Sequence, residues 1–167
     1  MKKIEHLYKL TETIGFTTSI KGKAYVSDYL MISNDGFMQI RASHTNPFFF
    51  DGCSPKFLIF GKLIGTPDGP IDPITNQPMR FRPSALHDLL YQHIGQPKFK
   101  LTRKECDQAF REALKFHGDS KADLFYYGLR MNGGMYYNAF VKDGLKWINY
   151  GDHVKNLGDM REDEFYV

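Results

Sequence analysis

The chain has 167 residues, of which 42% are hydrophobic and 25% are charged, with a formal charge of +3. This length fits a single domain spanning residues 1–167, and the composition excludes disorder over most of the chain. The one dense basic cluster, at residues 98–104, is interpreted as a solvated loop and helical turn, so a nucleic-acid-binding role is not favoured.

The cysteines and the apolar runs bear on the compartment in which the chain folds. Cys53 and Cys106 are too few for a disulfide framework or a structural zinc site. The N-terminus has a charged start without a following apolar run, so we expect no secretory signal. No stretch reaches the roughly 18–20 apolar residues that span a bilayer. We therefore expect a soluble protein that folds in a cytoplasm.

The first elements in chain order are predicted strands. Residues 1–15 are polar and are expected to form a short helix or an arm. Residues 23–32 and 37–42 are predicted as two strands. The turn sequence Ser33-Asn34-Asp35-Gly36 lies between them and favours a hairpin.

Two further apolar runs and a long loop follow. Residues 45–51 continue the strand-rich part, and residues 57–64 are predicted as a strand or a short helix. Residues 65–83 contain five prolines, which exclude a regular ladder and indicate a loop. Loops of this length are often lids or binding loops.

Three helices are predicted after the loop. Thr102 and Glu105 have the spacing of a capping box, and Gly118 is a typical C-terminal stop. The glycine pair 133–134 is expected to weaken or kink the last helix. The predicted ranges are 83–94, 103–117 and 122–141. The sequence therefore predicts an α+β fold, with N-terminal β-hairpins and strands packed against about three C-terminal helices.

Helical phase singles out one imidazole and one carboxylate. At about 100° per residue, His87 and Asp107 each fall on the flank of the apolar stripe of their helix. If the two helices pack antiparallel, His87 and Asp107 can pair, and Asp107 is expected to be half-buried. A carboxylate so placed would fix the imidazole tautomer and make His87 a candidate general base. Asp88 points elsewhere, because adjacent helical residues do not share a face.

Each of these residues also has a structural interpretation. Asp107 could form an ion pair with Arg103 at i−4. His87 could be a boundary histidine bound to any carbonyl, and Asp88 could be a solvated surface residue. The combination of the three residues, rather than any one of them, indicates a functional site.

Three short motifs follow one another along the chain: Asp-Gly-Cys-Ser-Pro at 51–55, His-Asp-Leu-Leu-Tyr at 87–91 and Cys-Asp-Gln-Ala-Phe at 106–110. Over about residues 50–140 they resemble an uncharacterised family of small phage and prophage proteins. That resemblance implies a phage origin. The cytoplasm expected from the lack of a secretory signal would then be that of the host, and association with the virion stays open. It implies no particular reaction.

The same motifs also resemble those of bacterial phospholipase A2. By this resemblance His87 would activate water, Asp107 would orient His87, and Asp88 with Asp51 would hold a calcium ion. The implied reaction is hydrolysis of an ester, with a phospholipid as the leading substrate.

Two further side chains complete the predicted site, and one alternative stays open. Tyr91 and Ser54 are expected to contact the substrate. The alternative function is that of a non-catalytic phage accessory protein that binds a host or virion protein. In that case the His and Asp motifs would serve folding, and the aromatic segment 122–141 would suit an interface.

Overall fold

The computed structural model describes residues 8–50, 52, 56–59, 62–65 and 68–131. In these ranges, strands occupy the N-terminal half and helices follow, which confirms the predicted α+β class. The strands are β1 Tyr8–Leu10, β2 Thr13–Thr17, β3 Tyr25–Val26, β4 Leu30–Ile32, β5 Phe37–Arg41, β6 Phe48–Phe50, β7 Lys56–Ile59 and β8 Lys62–Gly65. The helices are α1 Phe81–His93, α2 Arg103–Phe116 and α3, whose described part covers 122–131.

The largest sheet has four antiparallel strands in the order β2-β5-β4-β3. Alternate side chains of its strands are buried, such as Met38 and Ile40 on β5, because successive residues of a strand face opposite sides. The predicted turn at 33–36 connects β4 to β5, so the hairpin is confirmed. Two smaller antiparallel pairs, β1-β6 and β7-β8, complete the strands.

Two predictions for this half of the chain were wrong. Residues 8–10 and 13–17 form strands rather than a helix or arm; in β2 the exposed residues alternate with the buried Ile14 and Phe16. The segment 23–32 is two strands joined by a tight turn, in which the Ser27 N–H donates to the carbonyl of Leu30 at 2.7 Å. The Ser27 hydroxyl in turn accepts the Leu30 N–H at 3.1 Å. This turn contains no glycine or proline, so the sequence predicted one continuous strand.

The remaining segments agree with their predictions or refine them. Residues 57–64, predicted as a strand or short helix, contribute to the hairpin of β7 and β8. The described part of the proline-rich loop, 68–80, carries a single β-bridge between Ile71 and Pro78. The capping box of α2 is present as predicted, with the Thr102 side chain accepting the N–H of Glu105.

The two complete helices pack against each other in opposite directions. Arg80, at the start of α1, forms an ion pair with Asp119, just beyond the end of α2. Helix α1 begins two residues before the predicted position, and its apolar stripe of Leu86, Leu89 and Leu90 is fully buried in the core, where α1 contacts β6 and α2. Segment 132–141 of the third predicted helix lies outside the described residues. Among the described helices, none has the length and apolar character needed to cross a membrane.

Candidate active site

His87 and Asp107 face each other across the contact between α1 and α2. The His87 Nε2 atom lies 3.1 Å from the Asp107 Oδ1 atom. Asp107 is 0% exposed, whereas the His87 side chain keeps 10% of its surface exposed. The predicted contact is thus present, but Asp107 is fully buried rather than half-buried, because α3 covers its other side through Arg130.

Three side chains form hydrogen bonds with the carboxylate of Asp107: His87, described above, Tyr91 and Arg130. The hydroxyl of Tyr91 donates to Oδ1, the atom that also contacts His87. Nη1 of Arg130 donates to Oδ2 at 2.8 Å. Donors on both oxygens satisfy a buried charge that would otherwise be costly to desolvate.

The pKa of Asp107 follows from this environment. Burial by itself raises the pKa, but hydrogen bonds from His87, Tyr91 and Arg130, together with the charge of His87, outweigh it and hold the pKa below the usual 3.8. Asp107 is therefore ionised at neutral pH and can only accept hydrogen bonds. The Nε2 atom of a neutral His87 must then carry the proton, which leaves Nδ1 as the basic nitrogen.

The ring of His87 is held in place by two aromatic neighbours. Its centroid lies 4.2 Å from that of Tyr91 and 4.8 Å from that of Phe110. Tyr91 is one turn further along α1, and burial together with Asp107 raises the pKa of its phenol, so the hydroxyl remains a donor. Tyr91 was expected to contact substrate; its hydroxyl is instead bound to Asp107, and the substrate contact stays a prediction.

Of the two predicted metal ligands, the structure describes Asp88 but not Asp51. Asp88 is half-buried, with its Oδ2 atom buried, and is therefore not the fully solvated residue of the structural interpretation. Asp51 and Ser54 lie outside the described residues. Among the residues that the structure describes, no three His, Cys, Asp or Glu side chains are grouped so as to hold a metal.

Gly52 shows where the Asp-Gly-Cys-Ser motif meets the described fold. Its φ of +82° is one that favours glycine. A Cβ at Gly52 would lie 2.7 Å from the ring of Tyr8 and 3.0 Å from Oδ1 of Asp68. The Tyr8 hydroxyl donates to Asp68 at 2.9 Å, so β1 and the proline-rich loop together enclose this glycine.

Arg130 was not predicted as a site residue. It comes from α3, and helical phase within α1 and α2 carries no information about it. The available signal is composition, because Arg130 is the single charged residue between Asp123 and Lys142 in an otherwise mainly aromatic and apolar segment. Arg103, the alternative partner of Asp107, donates to the carbonyls of Leu129 and Arg130, at 3.5 and 3.4 Å.

The lowered pKa of Asp107 predicts a dependence of stability on pH. A carboxyl whose pKa is lower in the folded chain stabilises it above the unfolded pKa, and this contribution is lost as the pH falls through the folded value. We expect Asp107→Asn to be less stable than the wild type at pH 7, with the difference shrinking below about pH 4. Urea unfolding of both proteins between pH 7 and pH 3 measures it. A difference that does not change with pH would contradict an ionised Asp107.

Comparison of this chain with known proteins gave no match to a family model, to a curated protein or to a solved structure.

Proposed function

We propose that the chain is a hydrolase that cleaves an ester, with a phospholipid as the leading substrate class. The observation that carries the proposal is the orientation of His87: Nε2 contacts the buried Asp107, so Nδ1 is the nitrogen left to act on water. A histidine oriented by a buried carboxylate is the arrangement that general-base catalysis requires.

The proposed reaction runs through the two residues of this pair. Nδ1 of His87 takes a proton from water while the water oxygen attacks the ester carbonyl carbon. The tetrahedral intermediate collapses, the bond from carbon to the alcohol oxygen breaks, and Nδ1 returns the proton to the leaving alkoxide. Asp107 remains ionised throughout and stabilises the imidazolium that forms between the two steps.

The substrate contacts expected of Tyr91 and Ser54 belong to this proposal. Tyr91 and Arg130 also support the His87–Asp107 pair. Their hydrogen bonds fix both oxygens of Asp107, so the carboxylate cannot rotate away from the imidazole. A catalytic pair held by a second set of contacts keeps its geometry better than one held by its own hydrogen bond.

A calcium ion held by Asp88 and Asp51 belongs to the same proposal. Carboxylate oxygens are the donors that calcium takes, and a bound cation would polarise the ester carbonyl. The proton transfers themselves need only His87 and Asp107.

The calcium part predicts a specific loss. We expect the wild-type chain to hydrolyse phospholipid vesicles or a soluble ester in calcium, and to stop when the calcium is chelated. Asp88→Asn should lose this response, because it removes a charged ligand, whereas Asp28→Asn, at an exposed carboxylate of the β3–β4 turn, should keep it. The readout is fatty acid or alcohol released per minute.

The non-catalytic alternative makes the opposite prediction. A phage accessory protein that binds a host or virion protein would show no calcium-dependent and His87-dependent turnover on any substrate of a broad ester panel. That result would contradict the proposal that the chain is a hydrolase. The phage origin and the location in a host cytoplasm rest on the three motifs and stay predictions.

A further inference from the structure

Helices α2 and α3 hold each other through two arginines that point in opposite directions. Arg103, at the start of α2, donates to the backbone carbonyls of Leu129 and Arg130. Arg130 donates from α3 back to the carboxylate of Asp107, one turn along α2 from Arg103. The end of α3 and the carboxylate that contacts His87 are thus fixed by the same pair of contacts.

Arg130 is the charge partner that the buried carboxylate has on its far side. The Oδ2 atom accepts from Arg130, whereas the bonds of His87 and Tyr91 both go to Oδ1. Asp107 is wholly buried, and the Arg130 side chain is 29% exposed. The guanidinium therefore reaches from the surface of the molecule inward to a carboxylate that solvent does not touch.

We propose that Arg130 is a positioning residue: its bond to Oδ2 holds Asp107 in the orientation in which Oδ1 receives the Nε2 proton of His87. The proposal rests on the proposed function for its catalytic consequence. It adds that α3 is part of the site, so the His87–Asp107 pair is correctly set only when α3 is docked.

The physical reason is the fate of Asp107 without Arg130. Its Oδ2 atom would be buried without that donor, which favours either rotation of the carboxylate or its protonation. A protonated Asp107 can donate a hydrogen bond and no longer requires the proton of His87 on Nε2. Part of the imidazole would then carry its proton on Nδ1, where it cannot act as a base.

Among the residues that the structure describes, few charged and titratable groups lie around Asp107, so this effect can be isolated. His87 and Tyr91 face it from α1, Arg130 faces it from α3, and Cys106 and Arg103 lie beside it on α2. Burial and the charge of Asp107 raise the pKa of the Cys106 thiol well above its usual value, so this thiol is neutral at pH 7. Arg103 is engaged with the carbonyls of α3.

The test uses Arg130→Ala in the full chain, read at pH 7 in two ways. Ring ¹⁵N chemical shifts of His87 report the tautomer, and we expect Nε2–H in the wild type and a mixture in Arg130→Ala. Turnover is expected to fall about 10²-fold in kcat with little change in KM, as for a misplaced catalytic group. Free guanidinium, added below unfolding concentrations, should restore part of kcat.

Arg111→Ala is the matched control. Arg111 also joins α2 to α3, through Asp123 at 2.6 Å, but it makes no contact with Asp107. We expect wild-type tautomer and kcat for this variant. If Arg130→Ala keeps both wild-type values, or if Arg111→Ala changes them equally, the positioning role is overturned.

Failure of Arg130→Ala to fold and absence of turnover in the wild type each still allow a test. If Arg130→Ala does not fold, Arg130→Met replaces it: the longer side chain fills more of the space but has no donor for Oδ2, so a mixed tautomer is expected and a pure wild-type one would overturn the proposal. If the wild type shows no turnover on any ester, the proposed function fails. The tautomer comparison then still decides whether Arg130 positions Asp107.

Discussion

Replacement of His87 by glutamine is expected to lower turnover on the order of 10³-fold while the chain stays folded. The amide of glutamine can donate to Asp107 from near the position of Nε2, so the buried carboxylate keeps three donors. What is lost is the basic Nδ1 atom, because an amide cannot accept a proton from water at neutral pH. The loss should therefore fall on kcat rather than on KM.

His93 provides the matched control for this substitution. It lies on the same helix, is 8% exposed like His87, and packs against Tyr25 and Phe99. Its Nδ1 is 2.8 Å from the Leu89 carbonyl and its Nε2 is 2.9 Å from the Ser27 hydroxyl, so it joins α1 to the β3–β4 turn. We expect His93→Asn to lower stability and to leave kcat unchanged. Equal losses of turnover in both variants would mean that the His87 effect is one of folding.

The second large effect is one of stability, and it concerns the ion pair of Arg80 and Asp119. The Arg80 Nε atom lies 2.5 Å from Oδ2 of Asp119, and both side chains are at most 5% exposed. Asp119→Ala removes the carboxylate from a buried guanidinium, and losing one partner of a buried pair is strongly destabilising. We expect the free energy of unfolding to fall by about 3–5 kcal/mol.

The ion pair of Arg80 and Asp119 links several elements, so its loss in Asp119→Ala affects each of them. Arg80 stands at the start of α1 and its guanidinium carbon is 4.2 Å from the ring centroid of Phe125 on α3. Asp119 also accepts the backbone N–H of Lys121 at 2.9 Å, just before α3 begins. Urea unfolding at pH 7 measures the change. Asp123→Ala, which removes a carboxylate from the exposed pair with Arg111, is the control and should change the midpoint little.

The helical half of the molecule was largely predictable because its signals are local. Thr102 and Glu105 predicted the start of α2, and the apolar spacing of α1 and α2 predicted which flanks carry His87 and Asp107. Helical phase is fixed by neighbours three and four residues away, so a single sequence carries it.

Most of the features that the sequence did not predict depend on distant partners. Strand β1 forms by pairing with β6, where Tyr8 lies opposite Phe50, and no local sequence pattern predicts that pairing. Arg130, which donates to the fully buried Asp107, lies 23 residues further along the chain. The turn at Ser27 is different: it has no glycine or proline, and it is held by a local side-chain bond to Leu30. In the first two cases a tertiary contact supplied what propensity could not.

The closeness in sequence of His87 and Asp107 has a consequence for how the chain assembles. The two residues are 20 positions apart, whereas Ser19 and Glu112, which bond the β2–β3 loop to α2, are 93 apart. Because the entropy lost on closing a loop grows with the logarithm of its length, the histidine–aspartate contact requires about 1.4 kcal/mol less to close than the Ser19–Glu112 contact. The pair is therefore a short-range contact within one helical hairpin, and it costs less loop entropy to form than the contacts that join α2 to the strands.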